Sequence, residues 1–214
     1  MSVTLPPVLV EHLENAEHGE EQWNRAVASL ARGHTVVVIV AHRSVLVCVA
    51  HTVDAAQMAF LIRHTSGFIQ VALSENVCER LQLPEAAHNR GQQRPAATGQ
   101  CVAVDAAAGT STGISAADRA RTARVLTDPT STAADLTRPG HLVPTCVPSA
   151  TGEHSGNEIA EIAHALSAAA TAMPGAVFAD LISERDPTNL AEADEAHHFA
   201  ERHSLTELTI AFHD

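Results

Sequence analysis

Two stretches decide how this chain is read: Thr110–Arg119, TSTGISAADR, and Arg138–His141, RPGH. The first contains a helix start. Ser115 offers a hydroxyl as N-cap, and Asp118 follows three residues on, where a carboxylate reinforces the opening turn. The helix it opens carries Asp118, Arg119 and Arg121. The second stretch sets His141 between Gly140 and the apolar Leu142-Val143, where a locally bonded histidine would hold a turn.

Working outward, strands and helices alternate. A helix is expected from about Glu20 to Ala31, stopped at Gly33. Thr35–Val40 is a continuous β-branched run, hence a buried strand. Ala41-His42-Arg43-Ser44 is a short polar break, and Val45–Ala50 returns as the second strand of a tight hairpin. Thr52 is the expected N-cap of a helix over about 53–64, followed by a strand over 68–73. Ser74 would cap a short helix that ends before Pro84, and residues 85–99 are polar and irregular. A short strand is expected at Cys101–Val104, and an alanine-rich helix over about 157–172. A strand at 176–182, a helix at 190–203 and a strand at 205–211 complete the order. Such interleaving implies mixed α/β layers around one core. Residues 1–18 read as a polar lead-in, and 19–214 as a single domain.

Composition narrows the function. Net charge is −12 with histidines neutral, which repels nucleic acid and anionic membranes. Aromatics are 3%, with Trp23 the single tryptophan, so base stacking is not this protein's work. The apolar runs are shorter than the ~18 residues of a membrane span. Cys48, Cys78, Cys101 and Cys146 form no C-x-x-C pair, and each reads as a small buried hydrophobe. A cytoplasmic protein with reduced thiols is expected. His197, His198 and His203, with Asp194, read as a solvated helix face rather than a metal site.

The motifs TSTGISAADR and RPGH, with His64–Gly67 (HTSG) and Phe199–His203 (FAERH), resemble 3,4-dihydroxy-2-butanone 4-phosphate synthase, from riboflavin biosynthesis. The resemblance runs from about Glu21 to Ile210. It implies a three-layer mixed-sheet α/β fold (an α+β arrangement), a homodimer with sites near the subunit interface, and magnesium-dependent conversion of ribulose 5-phosphate to dihydroxybutanone phosphate plus formate. It implies catalytic roles for His141 and Asp180, the latter in place of a family glutamate. It marks Arg43, Ser111 and Thr112 as substrate-binding groups. Read by themselves, Ser111, Thr112, Asp118 and Arg119 fit a helix start, and Arg43 a solvated turn.

Set against the family pattern, much is missing. The acidic loop between the first two strands has shrunk to Ala41–Ser44, with Ser44 where a metal-binding glutamate belongs. Gln70 stands where the family has a cysteine. The second metal ligand, a histidine, has no match, and Glu158 is the one candidate near its place. A serine hydroxyl replaces a carboxylate poorly on Mg²⁺. No metal or other cofactor is therefore expected unless the family's standard activity is retained. The reading is a divergent homologue with a degenerate active site, repurposed for a phosphorylated or hydroxylated small molecule. The alternatives are a non-catalytic ligand-binding or partner subunit, possibly of an authentic synthase, and a weak authentic synthase.

Overall fold

The computed structural model describes residues 16–41, 43–86, 99–148 and 157–210. Seven strands form one mixed sheet among these residues: β1 Val36–Val40, β2 Arg43–Val49, β3 Gln70–Ser74, β4 Val104–Ala106, β5 Leu136–Val147, β6 Ala176–Asp180 and β7 Thr206–Ile210. Their order across the sheet is β4-β5-β3-β6-β2-β1-β7. Six α-helices lie among the described residues: α1 Ala16–Ala31, α2 Ala55–His64, α3 Glu75–Arg80, α4 Ala116–Thr127, α5 Glu158–Ala170 and α6 Ala193–His203.

The period-2 geometry of a strand sends alternate side chains to opposite faces, and both faces are covered. Val37, Ile39, Leu46, Leu73 and Val177 meet α2, α4 and α6 through Met58, Leu61, Leu126 and Phe199. Val36, Val38, Val47, Phe178 and Leu208 meet α1 and α5 through Trp23, Leu30, Ile162 and Leu166. Each such fully buried large side chain stabilises the fold by about 1.5–3 kcal/mol. This is the expected three-layer α/β fold in a single domain, and its central strands β1, β2, β3 and β6 are buried almost continuously because neither face meets water there.

Several expected boundaries move. Residues 1–15 of the lead-in lie outside the described residues, and Ala16–His18 belong to α1. Asp54, not Thr52, caps α2: its carboxylate accepts from Gln57 N at 2.8 Å, and the Gln57 side chain answers to the Asp54 N–H. A carboxylate with a reciprocating glutamine three residues on is a stronger cap than the Thr52 hydroxyl, which turns back toward Val49 O. The strand expected at 101–104 begins instead at Val104, with Cys101 in an isolated bridge to Glu85.

The largest correction concerns RPGH. It is not a turn but part of the 12-residue β5. Pro139 and Gly140 conceal this, since both are depleted in strands and mark bulges where they occur. Beside them the β4–β5 register jumps, from Val104 opposite Leu142 to Asp105 opposite Thr137. Gly140 is required there, because a Cβ would overlap the backbone of Val104 and Asp105. The bulge lifts His141 out of the ladder and toward β4.

Candidate active site

The register of the central strands places four candidates on one edge of the sheet. Gln70 on β3 lies opposite Val143 on β5 and Phe178 on β6. His141, two residues before Val143 on the parallel strand, and Asp180, two after Phe178 on the antiparallel one, therefore extend past β3 in the same direction. Arg43 begins β2, on the far side of β6. Adjacent strands are about 4.8 Å apart, so His141 and Asp180 stand roughly 10 Å apart across β3. Residues 65–69 fill the interval. Ser66 N donates to Asp180 O, and Gly67 O accepts from Arg119 Nη1 at 3.1 Å. Phe68 follows, 47% exposed.

The first centre is an imidazole held by a carboxylate. His141 Nδ1 lies 2.8 Å from Asp105 Oδ2, and the His141 backbone N–H donates to Asp105 Oδ1 at 3.0 Å. Asp105 is buried, while the His141 side chain keeps 39% of its surface. A carboxylate accepts only, so Nδ1 is the donating nitrogen and Nε2 is the one turned away from the pair. The TSTG loop closes over this pair. Gly113 has φ +81°, and a Cβ there would overlap Asp105 Oδ2 and His141 Nδ1. Asp118 shapes the loop by accepting from Ser111 Oγ at 2.8 Å, Ser111 N and Gly113 N. The Ser111 hydroxyl holds the Asp118 carboxyl below its ordinary range. Arg119, whose charge burial disfavours, is partly compensated by the field of Asp105.

Sequence reasoning does not single out Asp105. It lies 36 residues before His141 in an alanine-rich stretch, and no local spacing signals the contact. Its one sequence trace is that it ends the apolar run Cys101–Val104.

The second centre is an ion pair. Arg43 Nε and Nη2 both donate to Asp180 Oδ1, at 3.0 and 2.7 Å, and Nη2 also reaches Oδ2 at 3.0 Å. The Asp180 side chain is 15% exposed and that of Arg43 42%. The hairpin brings them together. β1 and β2 are joined by two residues, with Ala41 at φ +49°, so Arg43 is already in the ladder opposite Val40. Ser44 is buried in β2, and its carbonyl accepts from Leu181 N. Gln70 is buried too, its Oε1 accepting from Thr145 Oγ1 and Gln100 Nε2.

The remaining candidates lie outside these centres. Thr112 is exposed on the TSTG loop, and Glu158 is exposed in the first turn of α5. His197 pairs with Glu207 and Asp194 with Arg185. A hard divalent cation needs several converging oxygens. Among the described residues no three His, Cys, Asp or Glu side chains converge in that way, and Asp180 is already taken by Arg43. His42, Glu153 and His154 lie outside the described residues. No helix among the described residues is long and apolar enough to cross a membrane.

The three-layer α/β domain thus carries a carboxylate-held imidazole at one edge of its sheet. The family model of 3,4-dihydroxy-2-butanone 4-phosphate synthase matches residues 24–212, and the chain belongs to that family. It is 39% identical over 192 residues to the riboflavin biosynthesis protein RibBA of Mycobacterium avium, covering 87% of this chain and 44% of the relative. The RibBA of Nocardia farcinica is similar at 39% identity, with 87% and 45% covered. The chain thus spans less than half the length of these curated relatives. A 3,4-dihydroxy-2-butanone 4-phosphate synthase solved in complex with two magnesium ions superposes with TM-score 0.76 at 30% identity, covering 87% of this chain and 91% of that one. The synthase of Candida albicans superposes with TM-score 0.74 at 28% identity, covering 87% and 92%.

Proposed function

We propose that this chain uses the synthase scaffold for acid–base chemistry on a small hydroxylated or phosphorylated substrate, without the standard magnesium-dependent turnover of ribulose 5-phosphate. The observation that carries this reading is the fate of Asp180, the acid matching a family catalytic glutamate. It is tied on both oxygens to Arg43, with no further acid in reach from the two-residue hairpin. The His141–Asp105 pair, by contrast, is intact and open. His141 Nε2 takes a proton from the substrate, and Asp105 stabilises the imidazolium that forms; such a base contributes about 10²–10⁴-fold. Asp180 acts as a positioning residue, aiming the Arg43 guanidinium at a substrate oxyanion. Thr112 supplies a hydroxyl from the TSTG loop. The chain works as a cytoplasmic homodimer in this reading.

The second reading is an authentic synthase, and the comparisons favour it, since the relatives carry the riboflavin name at 39% identity. One experiment separates the two. Purified protein is given ribulose 5-phosphate and Mg²⁺, and formate is followed. The expected result is no release above that of His141→Ala, and no rise in melting temperature with Mg²⁺ concentration. Steady formate at ordinary enzymatic rates, about 1 s⁻¹ or faster, would establish the authentic synthase instead.

A further inference from the structure

Away from this edge, three of the four cysteines come together. Gln100 bridges Thr145, Cys101 N donates to Pro144 O at 2.8 Å, and Cys146 N donates to Gly99 O at 2.7 Å. Cys101 and Cys146 are therefore diagonal neighbours on one face of an antiparallel pair. Cys78 comes from α3, which follows directly on β3, and its side chain lies on the same cleft as those of Cys101 and Cys146. All three line one open cleft of about 330 Å³, together with Glu75, Glu79 and Glu85.

We propose that Cys78 and Cys146 form a peroxide-oxidisable dithiol, closing to a reversible disulfide between α3 and β5. Geometry selects the pair. Diagonal neighbours across an antiparallel ladder have Cα atoms about 7–8 Å apart, beyond the span of an unstrained disulfide at about 4.4–6.8 Å. Cys101 and Cys146 are thus the wrong partners for each other, and Cys78 is the third thiol on the same cleft. Access selects the site of first attack: Cys146 is half-buried, whereas Cys78 and Cys101 are only 5% and 3% exposed. The neighbouring Cys78 thiol lowers the pKa of Cys146, as it does that of Cys101, which favours the nucleophilic thiolate; exposure is what separates the two. Cys101 first, then Cys146 and burial, raise that of Cys78.

The chemistry takes two steps and one hydroperoxide. The Cys146 thiolate attacks one peroxide oxygen and the O–O bond breaks. This leaves a sulfenic acid on Cys146, and the second oxygen departs as hydroxide and is protonated to water. The Cys78 sulfur then attacks the Cys146 sulfur, the S–O bond breaks, and the hydroxyl leaves with the Cys78 proton as a second water. Two thiols lose two electrons and two protons, and the peroxide is reduced to two waters.

The test treats the full-length chain with hydrogen peroxide, quenches free thiols with an alkylating reagent, and maps peptides by mass spectrometry without reduction. The expected product is one intramolecular link joining the Cys78 and Cys146 peptides, removed by dithiothreitol and still formed in Cys101→Ser. Cys78→Ser should instead leave Cys146 as a sulfenic acid that a 1,3-diketone probe captures. A link between Cys101 and Cys146, a link between two chains, or over-oxidation of Cys146 in the unsubstituted protein with no link would each overturn the proposal.

Discussion

His141 and Asp180 stand at the same sheet edge, separated by one strand, and each is held by a single oppositely charged or polar partner. Their situations nevertheless differ. At the β4–β5 bulge the carboxylate is buried and the imidazole it holds is exposed, with Nδ1 turned to the carboxylate and Nε2 away from it. At the β2–β6 edge the carboxylate is itself the candidate group, and Arg43 occupies both of its oxygens. A carboxylate used as support leaves a base available. A carboxylate that receives a bidentate guanidinium has few lone pairs left for a metal or a proton. The same residue type thus plays opposite parts according to which partner faces outward.

This contrast can be broken most directly through turnover. On any substrate the protein transforms, His141→Ala should lower kcat by about 10²–10⁴-fold. Asp180→Ala should act mainly through KM, because it releases the positioning of Arg43 rather than the proton transfer. Equal kcat losses in the two variants would end the distinction. Gly140→Ala tests the bulge that creates the first centre. Its Cβ meets backbone rather than a yielding side chain, so denaturant unfolding should show a loss of about 3 kcal/mol; a change under ~1 kcal/mol would mean the bulge is not locked.

Asp105→Ala should cost about 1–3 kcal/mol in the same measurement, because it removes the acceptor of both the His141 backbone N–H and its ring Nδ1. The Arg43–Asp180 pair should prove weaker. A double-mutant cycle is expected to give a coupling of ~1 kcal/mol or less, since Arg43 is 42% exposed. A coupling above that of the buried centre would reverse the ranking.

The smallest effect concerns acid. His164 on α5 is pushed below the ordinary histidine value of 6.5 by burial, and its Nε2 has no hydrogen-bond partner among the described residues. The unfolded chain then takes up its proton first. Stability is complete above about pH 6.5 and declines as the pH falls below it. His164→Leu should flatten that decline, followed by melting temperature against pH, while Arg43→Ala should leave its slope unchanged.

The sequence carried a good deal of this. The β-branched run at Thr35–Val40 and the brief Ala41–Ser44 break made the first hairpin legible, because burial and chain reversal are local properties. Ser115 marked the start of α4 for the same reason: its hydroxyl does accept from Asp118 N. Motif resemblance placed the chain in its family, which the family match over 24–212 supports. His141, Asp180 and Arg43 were all legible as candidates one by one.

Tertiary structure alone decided their pairing. That Asp180 is held by Arg43, 137 residues away, follows from β6 lying beside β2 and not from any spacing along the chain. That His141 leans on Asp105 follows from a bulge hidden behind Pro139 and Gly140, whose strand-breaking chemistry argues for a turn until β4 supplies the other side. Three cysteines with no motif between them meet because α3 folds back over the bridge between residues 100 and 145. Local sequence sets what each residue is able to do; the sheet order sets which neighbour reaches it, and in this protein the neighbour determines whether a carboxylate supports chemistry or is withdrawn from it.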